Sequence, residues 1–253
     1  VVQKNGLLQR TFAFRGPDLE SAAALYINDM CLFINDIVKS LGTGWAFCFE
    51  NNHFQTRDYQ GASFTNTAAY LIDKEREFTY QSYGTHFDTT YYLTIVYESP
   101  LDISTKITNI FFKEKTIGLD SSIKEAVKKL LAVTDDICAL LAKKMTIVPL
   151  DTNETLTYLK QSVSKSGYPV QNQNDIAPFF LDHVLPDEVL DVGMTLKLGE
   201  YFIPMITINA FPSKTYPAIL DALNAAHIEY RWTSRFICMD KQAALSSIQK
   251  QSD

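Results

Sequence analysis

Residues Tyr201–Met239 read YFIPMITINAFPSKTYPAILDALNAAHIEYRWTSRFICM, and the fold turns on how this stretch is divided. Ile203, Met205, Ile206 and Ile208 form an apolar run that Phe211-Pro212 ends, the pattern of a buried strand stopped by proline. Thr215 is placed to cap a helix, and Pro217 in its first turn loses only a backbone donor that has no partner there. Ile219, Leu220 and Leu223 supply the inner stripe of that helix. Beyond it, Ile228, Tyr230 and Trp232 alternate with Glu229, Arg231 and Thr233, a period of two that gives a strand one buried and one wet face. Two strands joined by roughly a dozen crossover residues make a β-α-β unit. This predicts Ile203–Ala210 and Ile228–Met239 as parallel neighbours, a right-handed crossing by Thr215–Ala226, and Trp232 buried on the side that helix covers.

Outward from this unit, strands and amphipathic helices alternate. Lys4-Asn5-Gly6-Leu7 is a hairpin signal, because Asn-Gly accepts the positive φ angles of a tight turn, and Leu8, Thr11, Phe12 and Phe14 continue the second strand. After Arg15-Gly16-Pro17-Asp18, the spacing of Tyr26, Met30, Phe33, Ile34, Ile37 and Leu41 predicts a helix to about Leu41. Gly42-Thr43-Gly44 turns the chain into a strand at Trp45–Glu50, and Asn51–Asn66, without a period, reads as a long loop. A second helix over Thr67–Tyr83 ends at Gly84, and the β-branched and aromatic run Asp88–Glu98 is a strand. Leu101–Gly118 holds at most a short element around Ile107, Ile110 and Phe111.

The cleanest amphipathic helix is Asp120–Lys143, with Ile123, Val127, Leu130, Leu131, Ile137, Cys138 and Leu141 on one stripe. A short strand follows at Thr146–Leu150, then Asp151 and Glu154 have the spacing of a capping box for a helix to about Ser164. Gly167–Asp191 is a long connection with one helical turn at Phe179–Val184; Met194–Leu198 is a strand; Asp240 caps a last helix over Gln242–Gln249. The class is mixed α/β: an N-terminal hairpin, several amphipathic helices on mixed sheets, and the C-terminal β-α-β unit. It reads as one domain over 1–253, divisible into lobes 1–144 and 145–253.

Composition excludes several functions. With 253 residues and 46 % hydrophobic content the chain can bury a real core, and its net charge of −6 argues against nucleic acid or an anionic membrane as an electrostatic partner. No apolar run approaches the ~18 residues that a spanning helix needs. No signal peptide or initiator methionine is present, and Val1-Val2 starts inside an expected strand, which reads as a segment of a longer protein. Cys31, Cys48, Cys138 and Cys238 lie far apart among apolar residues, the pattern of reduced core thiols in a cytosolic protein; no C-x-x-C pair suggests a metal.

Chemistry-bearing motifs are scarce. No G-x-x-x-x-G-K-[ST] phosphate loop occurs; Leu41-Gly42-Thr43-Gly44-Trp45 has glycines but runs into a strand, whereas phosphate binding of this type uses a helix N-terminus. Ile147–Asp151 mimics a magnesium-side strand, but Pro149 and the capping role of Asp151 make it structural. His86 and Asp88 share a strand face and could pair, yet no nucleophile stands beside them. Four charged residues are the candidates for a protein interface: Arg57 and Asp58 in the first long loop, Arg231 and Arg235 on the last strand. Strand guanidiniums either pair with carboxylates and lie along apolar surface, or act as hot spots toward a partner. The aromatic group from Phe78 to Tyr97 packs strands and core, or forms an exposed protein-binding face.

Three strings carry a family resemblance: QRTFAFRGPDLES at Gln9–Ser21, HFDTTYYLTIVY at His86–Tyr97, and AFPSKTYPAILDALNAAHIEYRWTSRFICMDK at Ala210–Lys241. They closely resemble the N-terminal domain of the CagE/TrbE/VirB family of type IV secretion and conjugation ATPases, and the resemblance spans essentially the whole chain. It implies an α/β domain that docks on the cytoplasmic side of the inner membrane of a Gram-negative bacterium. Its partners would be the inner-membrane subunits of the channel and other copies of the ATPase. A C-terminal RecA-like motor domain outside this chain would hold ATP and Mg, so the resemblance transfers no catalytic, cofactor or metal residue here. A nucleic-acid-binding module, revealed by retention on single-stranded DNA, and a stand-alone enzyme, revealed by turnover, remain as other classes.

Overall fold

The longest strand pair organises the molecule. In the computed structural model, which describes all residues except 4, 20, 57, 100–120, 166–167, 172–180, 184, 211, 217–218, 224 and 253, β2 (Trp45–Thr56) and β3 (His86–Tyr97) run antiparallel over their full lengths. β1 (Leu8–Arg15) flanks β3 and β8 (Tyr230–Ile237) flanks β2, both antiparallel. With β4 (Thr146–Pro149) the sheet order is β4-β1-β3-β2-β8. Directly opposed residues share a face, so the register puts Leu8, Phe12, Trp45, Phe47, Leu93, Ile95 and Tyr97 on one side. That side is covered by α1 (Ala24–Lys39) and α3 (Ser121–Leu141), whose Ile37 and Ile123, Ala126, Leu130, Ile137 and Leu141 complete one buried cluster. Trp45 and Tyr97 stack inside it with centroids 4.5 Å apart. Arg10 ties β1 to α3, donating to Thr134 Oγ1 at 2.8 Å and to Asp135 Oδ1 at 2.7 Å.

The chain divides into two compact units: residues 1–147 with 218–253, and residues 148–217. The second holds α4 (Thr152–Val163) and the small antiparallel strands β5 (Leu190–Val192), β6 (Leu196–Leu198) and β7 (Tyr201–Phe202). The capping box forms as the spacing predicts: Asp151 Oδ1 accepts from the Glu154 N–H and Glu154 Oε2 from the Asp151 N–H, each at 2.8 Å. Of the turn expected at Phe179–Val184, the described residues Leu181–His183 form a 3-10 turn, and the others lie outside the described residues. The stretch 101–118 lies outside the described residues.

The mixed α/β class holds, but the β-α-β unit does not form. Residues 203–210 make no ladder among the described residues, and Met205 and Ile206 stand 79 % and 86 % exposed. Of the expected crossover helix, the described residues form a 3-10 turn at Asp221–Leu223. The strand β8 is real, but its partner is β2, the pairing is antiparallel, and the expected buried–wet alternation does not appear: Tyr230, Arg231 and Trp232 are all half-buried, and Ile228 and Phe236 are exposed. Periodicity reports which face a strand buries, not which strand it meets. Trp232 is accordingly half-buried, on the sheet with Asn51 opposite, and its indole N–H donates to Ser234 Oγ at 2.9 Å.

A second correction concerns residues 51–66. β2 continues through Thr56 because twelve consecutive pairs with β3 satisfy the backbone of Asn51, Asn52 and Gln55, residues that taken alone favour loops. A third concerns the thiols: Cys238 is buried and Cys48 and Cys138 half-buried, but Cys31 is exposed on α1. Near the N-terminus, Val2 bridges Leu8, and Gly6 takes the positive φ of 83° that the Asn-Gly turn requires. The last helix, α5 (Lys241–Ser252), starts after Asp240, whose carbonyl accepts from the Ala244 N–H and whose carboxylate accepts from Thr43 Oγ1 at 2.7 Å.

Candidate functional site

α2 (Thr67–Ser82) sits in the connection between β2 and β3, beyond the Thr56–His86 end of their ladder. Asn66 caps it, its side chain accepting from the Ala68 N–H at 2.8 Å. The helix is fastened by its polar side. Tyr59 O–H donates to Asp73 Oδ1 at 2.8 Å, and that bond raises the Tyr59 pKa above the usual phenol value. Tyr80 stacks on His86 at 3.6 Å, and the His86 Nε2–H donates to the Tyr80 carbonyl at 2.6 Å. His86 is thus engaged by α2, while the carboxylate of Asp88 accepts from the Thr89 N–H; the two do not serve each other as the sequence pattern allowed.

The rest of α2 stands in solvent, apolar and charged side chains alike. Asp73, Glu77 and Tyr80 are half-buried, while Leu71, Ile72 and Phe78 are 61 %, 53 % and 73 % exposed. No residue of α2 is buried. A helix that folds a domain puts its apolar stripe inward; here Leu71 and Phe78, seven residues apart, align on the outer side, and Ile72 lies about 100° round from Leu71.

The sequence-selected charges fall in different surroundings. Arg57 lies outside the described residues; Asp58 is exposed, with its backbone N–H on Thr56 Oγ1 at 3.1 Å. Arg231 forms an ion pair with Glu50, its Nε donating to Glu50 Oε1 at 2.7 Å, and Thr233 Oγ1 reaches Glu50 Oε2 at 3.5 Å. Arg235 is exposed and opposes Cys48 in the register. Burial pushes the Cys48 thiol pKa up, and the Arg235 charge offsets some of that shift. Arg231, Thr233 and Arg235 thus share one face of β8, whereas Asp58 lies past the end of β2.

His53 is buried on β2 between the rings of Phe87 and Tyr230, with centroids 5.0 and 4.9 Å away, and its Nδ1 is 2.8 Å from Thr89 Oγ1. Both are packing roles. Sequence reading missed Glu50 as the partner of Arg231, 181 positions away, because only the β2–β8 register joins them. Of the two readings the sequence left for Phe78, its exposure favours the open face; the exposure of Leu71 and Ile72 beside it was not read from the sequence. Among the described residues no group of three or more His, Cys, Asp or Glu side chains could hold a metal ion, and no helix is long and apolar enough to cross a membrane.

Comparison with known proteins supplies what the geometry does not. Residues 1–104 match the family model of the type IV secretion system ATPase VirB4/TrbE, N-terminal domain, and residues 123–253 match that of the CagE, TrbE, VirB family, component of type IV transporter system. The chain is 25 % identical over 267 aligned residues to the conjugal transfer protein TrbE of Rhizobium radiobacter, covering 99 % of this chain and 32 % of that protein. Two separate pieces of a probable conjugal transfer protein TrbE of Sinorhizobium fredii are also similar. The first piece is 32 % identical over 37 % of this chain and 65 % of its own length. The second is 29 % identical over 39 % of this chain and 14 % of its own length. The chain thus spans about a third of the Rhizobium radiobacter relative. It belongs to the CagE/TrbE/VirB family of type IV secretion and conjugal transfer components.

Proposed function

We propose that this chain is the assembly module of a TrbE-like conjugal transfer ATPase, docking a motor domain onto the inner-membrane complex of a type IV secretion channel. The observation that carries this reading is α2: a helix fastened by Asp73 and Tyr80 and displaying Leu71, Ile72 and Phe78 to solvent, in a chain whose N-terminal 104 residues match the family's N-terminal domain. Exposed apolar patches of this kind mark protein contact sites. Arg57, Asp58 and Arg235 are the charges offered for contact with a partner, while the Arg231–Glu50 pair holds β8 in place.

ATP and Mg act in the motor domain of the longer protein, at the cytoplasmic side of the inner membrane, and this chain alone neither binds nor hydrolyses ATP. Two measurements test the reading. Calorimetry with ATP on the chain is expected to register no binding; micromolar affinity or phosphate release overturns that half. Charge reversal at Arg57 and Asp58 in the longer protein leaves the thermal midpoint within a few degrees, as exposed changes do. The same variant co-purifies less with the inner-membrane subunits. Unchanged co-purification removes that loop from the interface.

A further inference from the structure

We propose that the outer edge of β8 takes an extended acidic segment of another protein as an added strand; this rests on the assembly reading above and names the chemistry of the partner. Among the described residues β8 is the outermost strand on its side of the sheet, paired with β2 alone. Its register is unbroken from Ala46 opposite Ile237 to His53 opposite Tyr230, and the Cys238 N–H donates to the Trp45 carbonyl at 2.9 Å. In an antiparallel ladder, bonded and unbonded pairs alternate. Counting back from Cys238, the residues bonded to β2 are Phe236, Ser234, Trp232 and Tyr230. The backbone N–H and C=O groups of Thr233, Arg235 and Ile237 therefore point off the sheet, and no hydrogen bond joins them to another described residue.

Unpaired backbone of this kind fits an extended strand and nothing else, and sheets guard against it with proline, bulges or a covering element. Thr233–Ile237 holds no proline and no bulge, and Thr233, Arg235, Phe236 and Ile237 are exposed. The side chains then select the charge of the occupant. Opposed residues of neighbouring strands share a face, so an added strand lays alternate side chains beside Arg235 and the others beside Phe236. Arg231 is held by Glu50, whereas Arg235 makes no ion pair among the described residues. A carboxylate on the incoming strand supplies Arg235 with a cross-strand partner, and an apolar neighbour covers Phe236. A second copy of the same edge, antiparallel and centred on Arg235, sets guanidinium against guanidinium. Charge thus favours an acidic strand over the chain's own edge.

Amide exchange and a peptide probe test this on the chain. The N–H groups of Thr233, Arg235 and Ile237 are expected to exchange at least about tenfold faster than those of Trp232, Ser234 and Phe236, which β2 protects. Equal protection of the two sets means that the edge is already covered and overturns the proposal. The probe is a fluorescent peptide of two Thr-Val-Glu-Val repeats, with a counterpart in which lysine replaces both glutamates. The acidic peptide should slow exchange at Thr233, Arg235 and Ile237 and bind roughly fivefold more tightly than the basic one, and Arg235→Glu should invert that preference. Thr233→Pro removes an outward donor and no bond to β2, and should abolish binding. Thermal midpoints within a few degrees of the parent establish that the variants are folded; if the proline variant is not, Arg235→Glu decides alone. No binding, equal binding of both peptides, or binding that survives a folded Thr233→Pro overturns the inference. In the longer protein, Arg235→Glu should lower co-purification with the inner-membrane subunits. If it does not, while charge reversal at Arg57 and Asp58 does, the assembly reading stands without this edge; if neither does, both fall.

Discussion

Two helices of the same unit put their apolar residues to opposite uses. α3 buries Ile123, Ala126, Leu130, Ile137 and Leu141 against the sheet, and Lys128, Lys129, Asp135 and Asp136 face water. α2 buries none, fastens itself through Asp73 and Tyr80, and leaves Leu71, Ile72 and Phe78 outside. Both helices carry apolar and charged residues; the tertiary setting separates one that builds the core from one whose apolar residues stay outside. The difference teaches that an apolar stripe specifies burial without specifying by what.

The comparison is broken most directly by truncating each stripe in turn. Leu130→Ala in α3 removes a buried side chain from the cluster and is expected to cost about 2–5 kcal/mol in chemical denaturation. Phe78→Ala in α2 is expected to change stability by less than about 0.5 kcal/mol, since its side chain stands mostly in solvent. Equal losses at the two sites would erase the distinction.

Smaller effects sharpen it. Replacing Arg231 by Ala takes the ion-pair partner from Glu50, whose carboxylate is buried on the sheet, and about 1–3 kcal/mol is expected to be lost. Conversion of both partners to apolar residues should recover much of that. Asp151→Ala removes one half of the capping box in the second unit and should cost about 1 kcal/mol, read as earlier exchange of the α4 amides.

The smallest effect is chemical. Burial raises the thiol pKa of Cys48, Cys138 and Cys238 above the ordinary 9.0, so the folded chain holds these protons after the unfolded chain has released them. Stability from this source is present below pH 9 and is lost as pH rises through the folded values. Exposed Cys31 should therefore be alkylated well before the other three at about pH 8. Comparable rates at all four would contradict the packing of the sheet.

How much of this was legible beforehand follows from what each signal measures. Local chemistry was: the capping box at Asp151 and Glu154, the Asn5-Gly6 turn, the stripe of α3 and the β-branched run of β3 all depend on neighbours in sequence. Long-range pairing was not. Asn51–Thr56 became strand because β3 supplied a twelve-residue template, and β8 joined β2 antiparallel instead of residues 203–210 in parallel. The apolar run 203–210 carries the composition of a strand, but it includes Pro204 and, with no ladder among the described residues, stands largely exposed. Asp58 and the β8 arginines could be selected by residue type, whereas Phe78 reads from sequence as core or as an exposed binding face, and only its exposure decides between them.

The central claim is that α2's outer face is kept for a partner and becomes covered on assembly. Hydroxyl-radical footprinting of Leu71 and Phe78, in the free chain and in the longer protein assembled with its inner-membrane subunits, tests it most directly. Both residues should be oxidised readily in the free chain and at least several-fold more slowly in the assembly, while Met205 and Ile206 of the second unit serve as exposed references. Equal oxidation of Leu71 and Phe78 in the two states would contradict the account.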